Sequence, residues 1–234
     1  MLIRLGLIVP SSNTTMEPEF YKMLPEGFSI HTSRLRLKNV TVKSLAEMER
    51  KIEEEALKLA DADVSVIGYG CTSGSLFRGL GHAKEIEQRI ESASEKPAVA
   101  TAGAVVKALK HLEIKTVAVA TPYIDEINEL ERRFLSLSGF KVTDLKGLGI
   151  KDNLKIGKVD EKTLLDLVLN LNHENADGIF ISCTNLPTIN VIGKLEDKLK
   201  KPVISSNTAT LWAMLKKLEA SIKIKGYGIL LERM

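Results

Sequence analysis

Eight short apolar runs, at residues 3–9, 28–32, 64–69, 98–100, 116–120, 141–148, 178–182 and 203–205, alternate with longer segments of different periodicity. In those segments, at 18–23, 41–60, 83–94, 101–112, 124–138, 160–172, 190–199 and 208–218, apolar residues recur every three to four positions, which reads as helix. Strands alternating with helices restrict the fold to parallel sheets built from βαβ units. Runs such as VSVIGYG do not alternate polar with apolar residues, as expected of strands covered on both faces.

The pattern occurs twice. Pro10 and Pro122 each end a strand and lie 112 residues apart, as do Cys71 and Cys183, which also end strands. The pairs Lys96-Pro97 and Lys201-Pro202 lie 105 residues apart, each before a later strand. Three ordered landmarks at similar offsets point to an internal duplication: two similar Rossmann-like α/β domains related by a pseudo-two-fold axis, with a site in the cleft between them. The alternative is that any doubly wound fold produces such echoes.

Composition excludes several classes. The 234 residues are 44% hydrophobic and 27% charged, with a formal net charge of only +3. Lysine and glutamate interleave (KIEEEALK, KLEDKLKK), which describes solvated helix faces and not a nucleic-acid stripe. No apolar run approaches the ~18 residues that span a bilayer. The opening MLIRLGLIVP carries Arg4 inside it and stops at Pro10, so it reads as a buried strand and not as a signal peptide. Two cysteines without a secretory signal point to a reducing cytoplasm and free thiols.

Those cysteines occupy matching places: "YGCTSGS" and "SCTNLPT" each follow a β-branched run, and each cysteine is followed by threonine. Ligands of parallel α/β sheets bind outside the carboxyl ends of the strands. Two facing domains would therefore present Cys71 and Cys183 to each other across one cleft. A strand-to-helix turn offers unpaired N–H groups that favour negative charge, so one thiol is expected to ionise as base or nucleophile while the other delivers a proton. Thr72 and Ser73 after Cys71, and Thr184 and Asn185 after Cys183, supply donors for a carboxylate and for an enediolate. The first loop, VPSSNTTMEPE, adds five hydrogen-bonding side chains from Ser11 to Thr15, more than a helix cap needs. Tyr123, at the matching place in TPYIDEIN, is either a phenol donor or a half-buried plug.

Other readings stay open at this level. Two inert core cysteines are the main alternative, and a disulfide between them is another. His82 or His173 beside a thiol would allow a Cys–His hydrolase, although each reads as a surface or capping residue. There is no C-x-x-C, and His31, His82, His111 and His173 lack ligand spacing, so no metal is indicated. No glycine-rich phosphate motif follows a strand, so no nucleotide cofactor is indicated either.

Together, VPSSNTTMEPE, YGCTSGS, TPYIDEIN, SCTNLPT and PVISSNTATLWAML resemble the aspartate/glutamate racemase superfamily, and within it the branch of maleate cis–trans isomerases and arylmalonate decarboxylases. The resemblance runs from the first strand to the final KGYGILL. It implies two similar α/β domains with the site between them and a C-terminal helix packed back on the first. The expected division is 1–107 plus 208–234 for the first domain and 108–207 for the second. Decarboxylases of that branch have glycine at the first cysteine position, and racemases usually read Cys-Asn-Thr there, so Cys71-Thr72-Ser73 favours the isomerases. The resemblance also implies that Asn13, Tyr123 and Asn153 contact the substrate carboxylates. It implies a cofactor-free reaction in which Cys71 adds to maleate, Cys183 protonates the other olefinic carbon, the bond rotates and fumarate is eliminated. A racemase or decarboxylase using the same thiols, and a non-catalytic small-acid binder, are the other functional readings. The expected partners are a small carboxylic acid and further copies of the chain, by default as a dimer.

Overall fold

The computed structural model describes residues 2–220 and 222–234. Strands β1 (Ile3–Pro10), β2 (Phe28–Leu35), β3 (Val66–Tyr69) and β4 (Ala98–Ala100) form one parallel sheet in the order β2-β1-β3-β4. Strands β5 (Thr116–Thr121), β6 (Lys141–Gly147), β7 (Gly178–Ile181) and β8 (Val203–Ser205) form a second, in the equivalent order β6-β5-β7-β8. The shared order is the structural counterpart of the doubled landmarks.

Burial explains the apolar runs. β3, β4, β7 and β8 are buried along their whole length, because helices cover both faces of each sheet. β6 lies at a sheet edge and is half-exposed, and it carries Lys141, Asp144 and Lys146. In each sheet the chain leaves the first strand toward one side and returns to the other, so the crevice opens between β1 and β3, and between β5 and β7. The segments after these four strands contain every expected catalytic and substrate-binding residue except Asn153.

The helices are α1 (Met16–Met23), α2 (Val42–Met48), α3 (Ile52–Asp61), α4 (Thr72–Leu76), α5 (His82–Ser94), α6 (Thr101–His111), α7 (Asp125–Leu137), α8 (Asn153–Ile156), α9 (Glu161–Leu169), α10 (Ile189–Leu199), α11 (Ser206–Lys217) and α12 (Ile229–Glu232). Three of them, α4, α8 and α12, were not expected from the sequence; each has five residues or fewer and shows no period. The single helix expected at 41–60 is interrupted by a 3₁₀ turn at Glu49–Lys51, where Arg89 of α5 donates to the Glu49 carbonyl. α11 starts at β8 in the second sheet but packs on α6, β3 and β4 in the first. The expected domain limits at 107/108 and 207/208 fall inside α6 and α11. Among the described residues, no helix is long and apolar enough to cross a membrane.

Candidate active site

Cys71 is the N-cap of α4, in extended backbone, and its sulfur accepts from the Gly74 N–H at 3.3 Å. The Ser73 hydroxyl lies 3.8 Å from the same sulfur. Cys183 follows β7 with φ +92°, a left-handed conformation that a non-glycine residue adopts only under strain. Its sulfur accepts from the Asn185 N–H at 3.4 Å and faces the phenol of Tyr123. Both thiols are free and only 4% exposed.

The two Cys-Thr turns are tied together by the first residue of α11. Ser206 Oγ accepts from Thr72 Oγ1 at 2.8 Å and from the Cys183 N–H at 3.0 Å. In the reverse direction, Thr184 Oγ1 donates to the Gly70 carbonyl at 2.9 Å and accepts from Asn13 Nδ2 at 3.1 Å. Asn13 Oδ1 accepts from the Thr15 and Met16 N–H groups and so caps the start of α1, which leaves its amide nitrogen as the group directed toward the site. Asn153 enters from α8; its Nδ2 donates to Ser12 Oγ at 2.9 Å. The amide of Asn185 is occupied by other loops: Oδ1 accepts from the Thr14 N–H, and Nδ2 donates to the Asn153 carbonyl. Thus Asn13, Thr72, Ser73, Tyr123, Asn153, Thr184 and Asn185 are all buried in one polar seam with the two thiols. Residues 38–40 and 151–153 join the halves over this seam, through Val40 N–H to Lys151 O and Asn153 N–H to Lys38 O.

The expected acidification by the helix terminus is not what the protein does. Burial pushes Cys71 up to about 11, and the Gly74 N–H and Ser73 hydroxyl only partly offset it. Burial pushes Cys183 higher, to about 12; Tyr123 and the Asn185 N–H oppose the rise, while the charges of Cys71 and Glu131 add to it. α4 is a helix of one turn, and its terminal N–H groups cannot outweigh removing a thiolate from water. His82 is also placed differently from expectation: it is buried at the start of α5, with Nε2 3.2 Å from Glu49 Oε2 and its ring edge-on to Phe77.

Three site residues were missed in the sequence. Ser206 is signalled only by the doubled serine in VISSNTAT. Glu19 and Glu131 resemble surface helix charges, yet both are buried. Glu131 Oε1 accepts from Ser182, the neighbour of Cys183, at 2.6 Å, and Oε2 has no hydrogen-bond partner among the described residues.

A family model described as arylmalonate decarboxylase matches residues 5–231. The chain belongs to the arylmalonate decarboxylase family. Among relatives with this architecture, a maleate isomerase of Pseudomonas putida is 36% identical over 98% of this chain and 97% of its own. The crystal structure of maleate isomerase from Pseudomonas putida S16 with maleate superposes with a TM-score of 0.96 at 35% identity, covering 99% of this chain and 98% of that one. A cysteine-to-serine mutant of Nocardia farcinica maleate cis–trans isomerase, carrying a covalently bound succinylcysteine intermediate, matches with a TM-score of 0.96 at 28% identity over the full length of both chains. The family assignment bears out the resemblance read from the paired Cys-Thr motifs.

Proposed function

We propose that this member of the arylmalonate decarboxylase family is a maleate cis–trans isomerase that works without a cofactor, through Cys71 and Cys183. The observation that carries the reading is the pair of buried Cys-Thr turns joined through Ser206 and Thr184. The maleate isomerase relatives and the succinylcysteine adduct of one of them support it.

We assign Cys71 as the nucleophile: its sulfur caps the start of α4, accepts from the Gly74 N–H and lies beside the Ser73 hydroxyl. Its thiolate forms a bond to one olefinic carbon, and the π electrons move to the other carbon and into the carboxylate beyond it. Ser73, Tyr123 and Asn13 are the donors for that charge, and the Thr72 hydroxyl, donated to Ser206, holds the turn that presents them. Cys183 gives its proton to the second carbon, leaving a succinyl group on Cys71. The carbon–carbon bond is now single and rotates. The Cys183 thiolate takes the proton back, the carbon–sulfur bond breaks and fumarate leaves. Asn153 completes the carboxylate contacts in this reading, and Asn185 holds the loops that carry them. The same reading divides the chain into 1–107 plus 208–234 and 108–207, with the limits best moved to just after α6 and just before α11 so that each helix stays whole in the first domain.

The free thiols support a reducing, cytoplasmic location. Exposed Leu80 and Leu137, flanking one groove with Phe77 and Phe134, support self-association, which sedimentation would test.

The deciding experiment is a proton NMR time course with maleate under reducing conditions, for the wild type, Cys71→Ala and Cys183→Ala. Conversion to fumarate by the wild type, lost in both variants, is expected. Conversion at the wild-type rate by Cys71→Ala would overturn the mechanism. No conversion by the wild type, with carbon dioxide released from phenylmalonate, would select a decarboxylase instead.

A further inference from the structure

Burial holds the Cys71 thiol well above neutrality, so the isomerase reading needs a group that stabilises charge on its sulfur. Tyr123 faces Cys183 Sγ in the second half. In the first half, Tyr69, the last residue of β3, is fully buried and its hydroxyl has no hydrogen-bond partner among the described residues. Gly74 shows where that hydroxyl points. A Cβ on Gly74 would lie 2.8 Å from Tyr69 Oη and 2.8 Å from Cys71 Sγ, so the two atoms flank one point and are no further apart than twice that distance. Met48 Cε, 3.0 Å from the same point, closes the third side. The phenol is thus an unpaired buried donor near a sulfur that already accepts from the Gly74 N–H and becomes a stronger acceptor when it ionises.

We propose that Tyr69 is the hydrogen-bond donor that stabilises the Cys71 thiolate. The proposal rests on Cys71 being the nucleophile. The two tyrosines are not repeat equivalents: at the 112-residue offset, Ile181 corresponds to Tyr69 and Ser11 to Tyr123. Their placement beside the two thiols is therefore not a by-product of the duplication. Burial, then the charges of Cys71 and Glu49, push the Tyr69 hydroxyl well above its ordinary range, with Arg89 opposing, so it remains protonated and able to donate. Glu49, in the 3₁₀ turn, is itself paired with Arg78 and lies beside His82, and Arg89 of α5 is paired with Glu53. Tyr69 keeps its own proton throughout; it supplies a hydrogen bond and takes part in no bond breaking.

The test uses Cys183→Ala protein labelled with [13Cβ]cysteine, in which Cys71 is the only thiol, with and without Tyr69→Phe. A hydrogen bond to a charged group corresponds to about a tenfold change in ionisation or more, so the Cys71 resonance should titrate at least about one pH unit higher without the hydroxyl. Thermal stability should not fall, because the substitution removes only an unpartnered buried oxygen. In the protein with both thiols, kcat for maleate should fall about tenfold with KM unchanged. An unmoved titration overturns the proposal, and does so whatever happens to the melting temperature. If the titration moves while the wild type fails to convert maleate, the substrate assignment falls and the role of Tyr69 stands. If maleate is converted and the titration does not move, the reverse holds.

Discussion

Glu131 shows how far a single buried residue departs from what its type suggests. It is 1% exposed on α7, and burial pushes its carboxyl up to about 7, with the Ser182 hydroxyl opposing. Its charge also raises both Tyr123 and Cys183, which favours Cys183 as the protonated partner. The folded state binds this proton more tightly than the unfolded chain, whose glutamate titrates near 4.5. Stability from this group is therefore fully present below pH 4.5 and is lost as pH rises through about 7. The loss amounts to about 3 kcal/mol. Urea unfolding between pH 4.5 and 8 should show this decline in the wild type and a flatter profile in Glu131→Gln. An unchanged slope in the variant would assign the decline to other groups.

At the scale of elements, the one-turn helix α4 depends on a residue with no side chain. Gly74 donates to Cys71 Sγ, and its Cα faces both that sulfur and the Tyr69 oxygen. Gly74→Ala forces these atoms apart, which should cost about 1–3 kcal/mol and roughly a hundredfold in kcat. Gly103→Ala in α6 is the control. Its nearest neighbours would be Glu87 Oε1 at 3.4 Å and Ala83 Cβ at 3.6 Å, so helix propensity should raise stability by about 1 kcal/mol. Equal kcat losses in the two variants would remove the argument for α4. The same elements show what a sequence discloses. Strands β3, β4, β7 and β8 are legible because burial on both faces writes continuous apolar runs such as VSVIGYG. The paired thiols are legible because Cys-Thr recurs at equivalent strand ends. The break at Glu49–Lys51 is not, since it depends on Arg89, 40 positions away. Nor is the direction of the thiol shifts: a helix start is visible in the sequence, while the burial that outweighs it arises only when the halves close.

For the whole molecule, the question is whether two duplicated halves behave as two folding units. Glu19 of α1 answers it. Its carboxylate accepts from the Thr188 and Ile189 N–H groups at the start of α10, at 2.6 and 3.1 Å, and from Asn207 Nδ2 on α11 at 2.6 Å. Burial pushes this carboxyl up, and those donors pull it back. Thr15 Oγ1 donates to the Asn185 carbonyl beside it, at 2.8 Å. Separating the halves would strand all these groups, and α11 would lose its packing on α6, so neither half has a low-cost way to open alone. Calorimetry should therefore show one cooperative transition. Glu19→Ala removes the acceptor of four buried hydrogen bonds, from the Thr188 and Ile189 N–H groups, the Thr188 hydroxyl and Asn207 Nδ2, a loss of about 3 kcal/mol, which in a chain of this size lowers the melting temperature by roughly 10 °C. Two separate transitions in the wild type, or a Glu19→Ala protein that melts with it, would mean that the seam positions the thiols without holding the halves together.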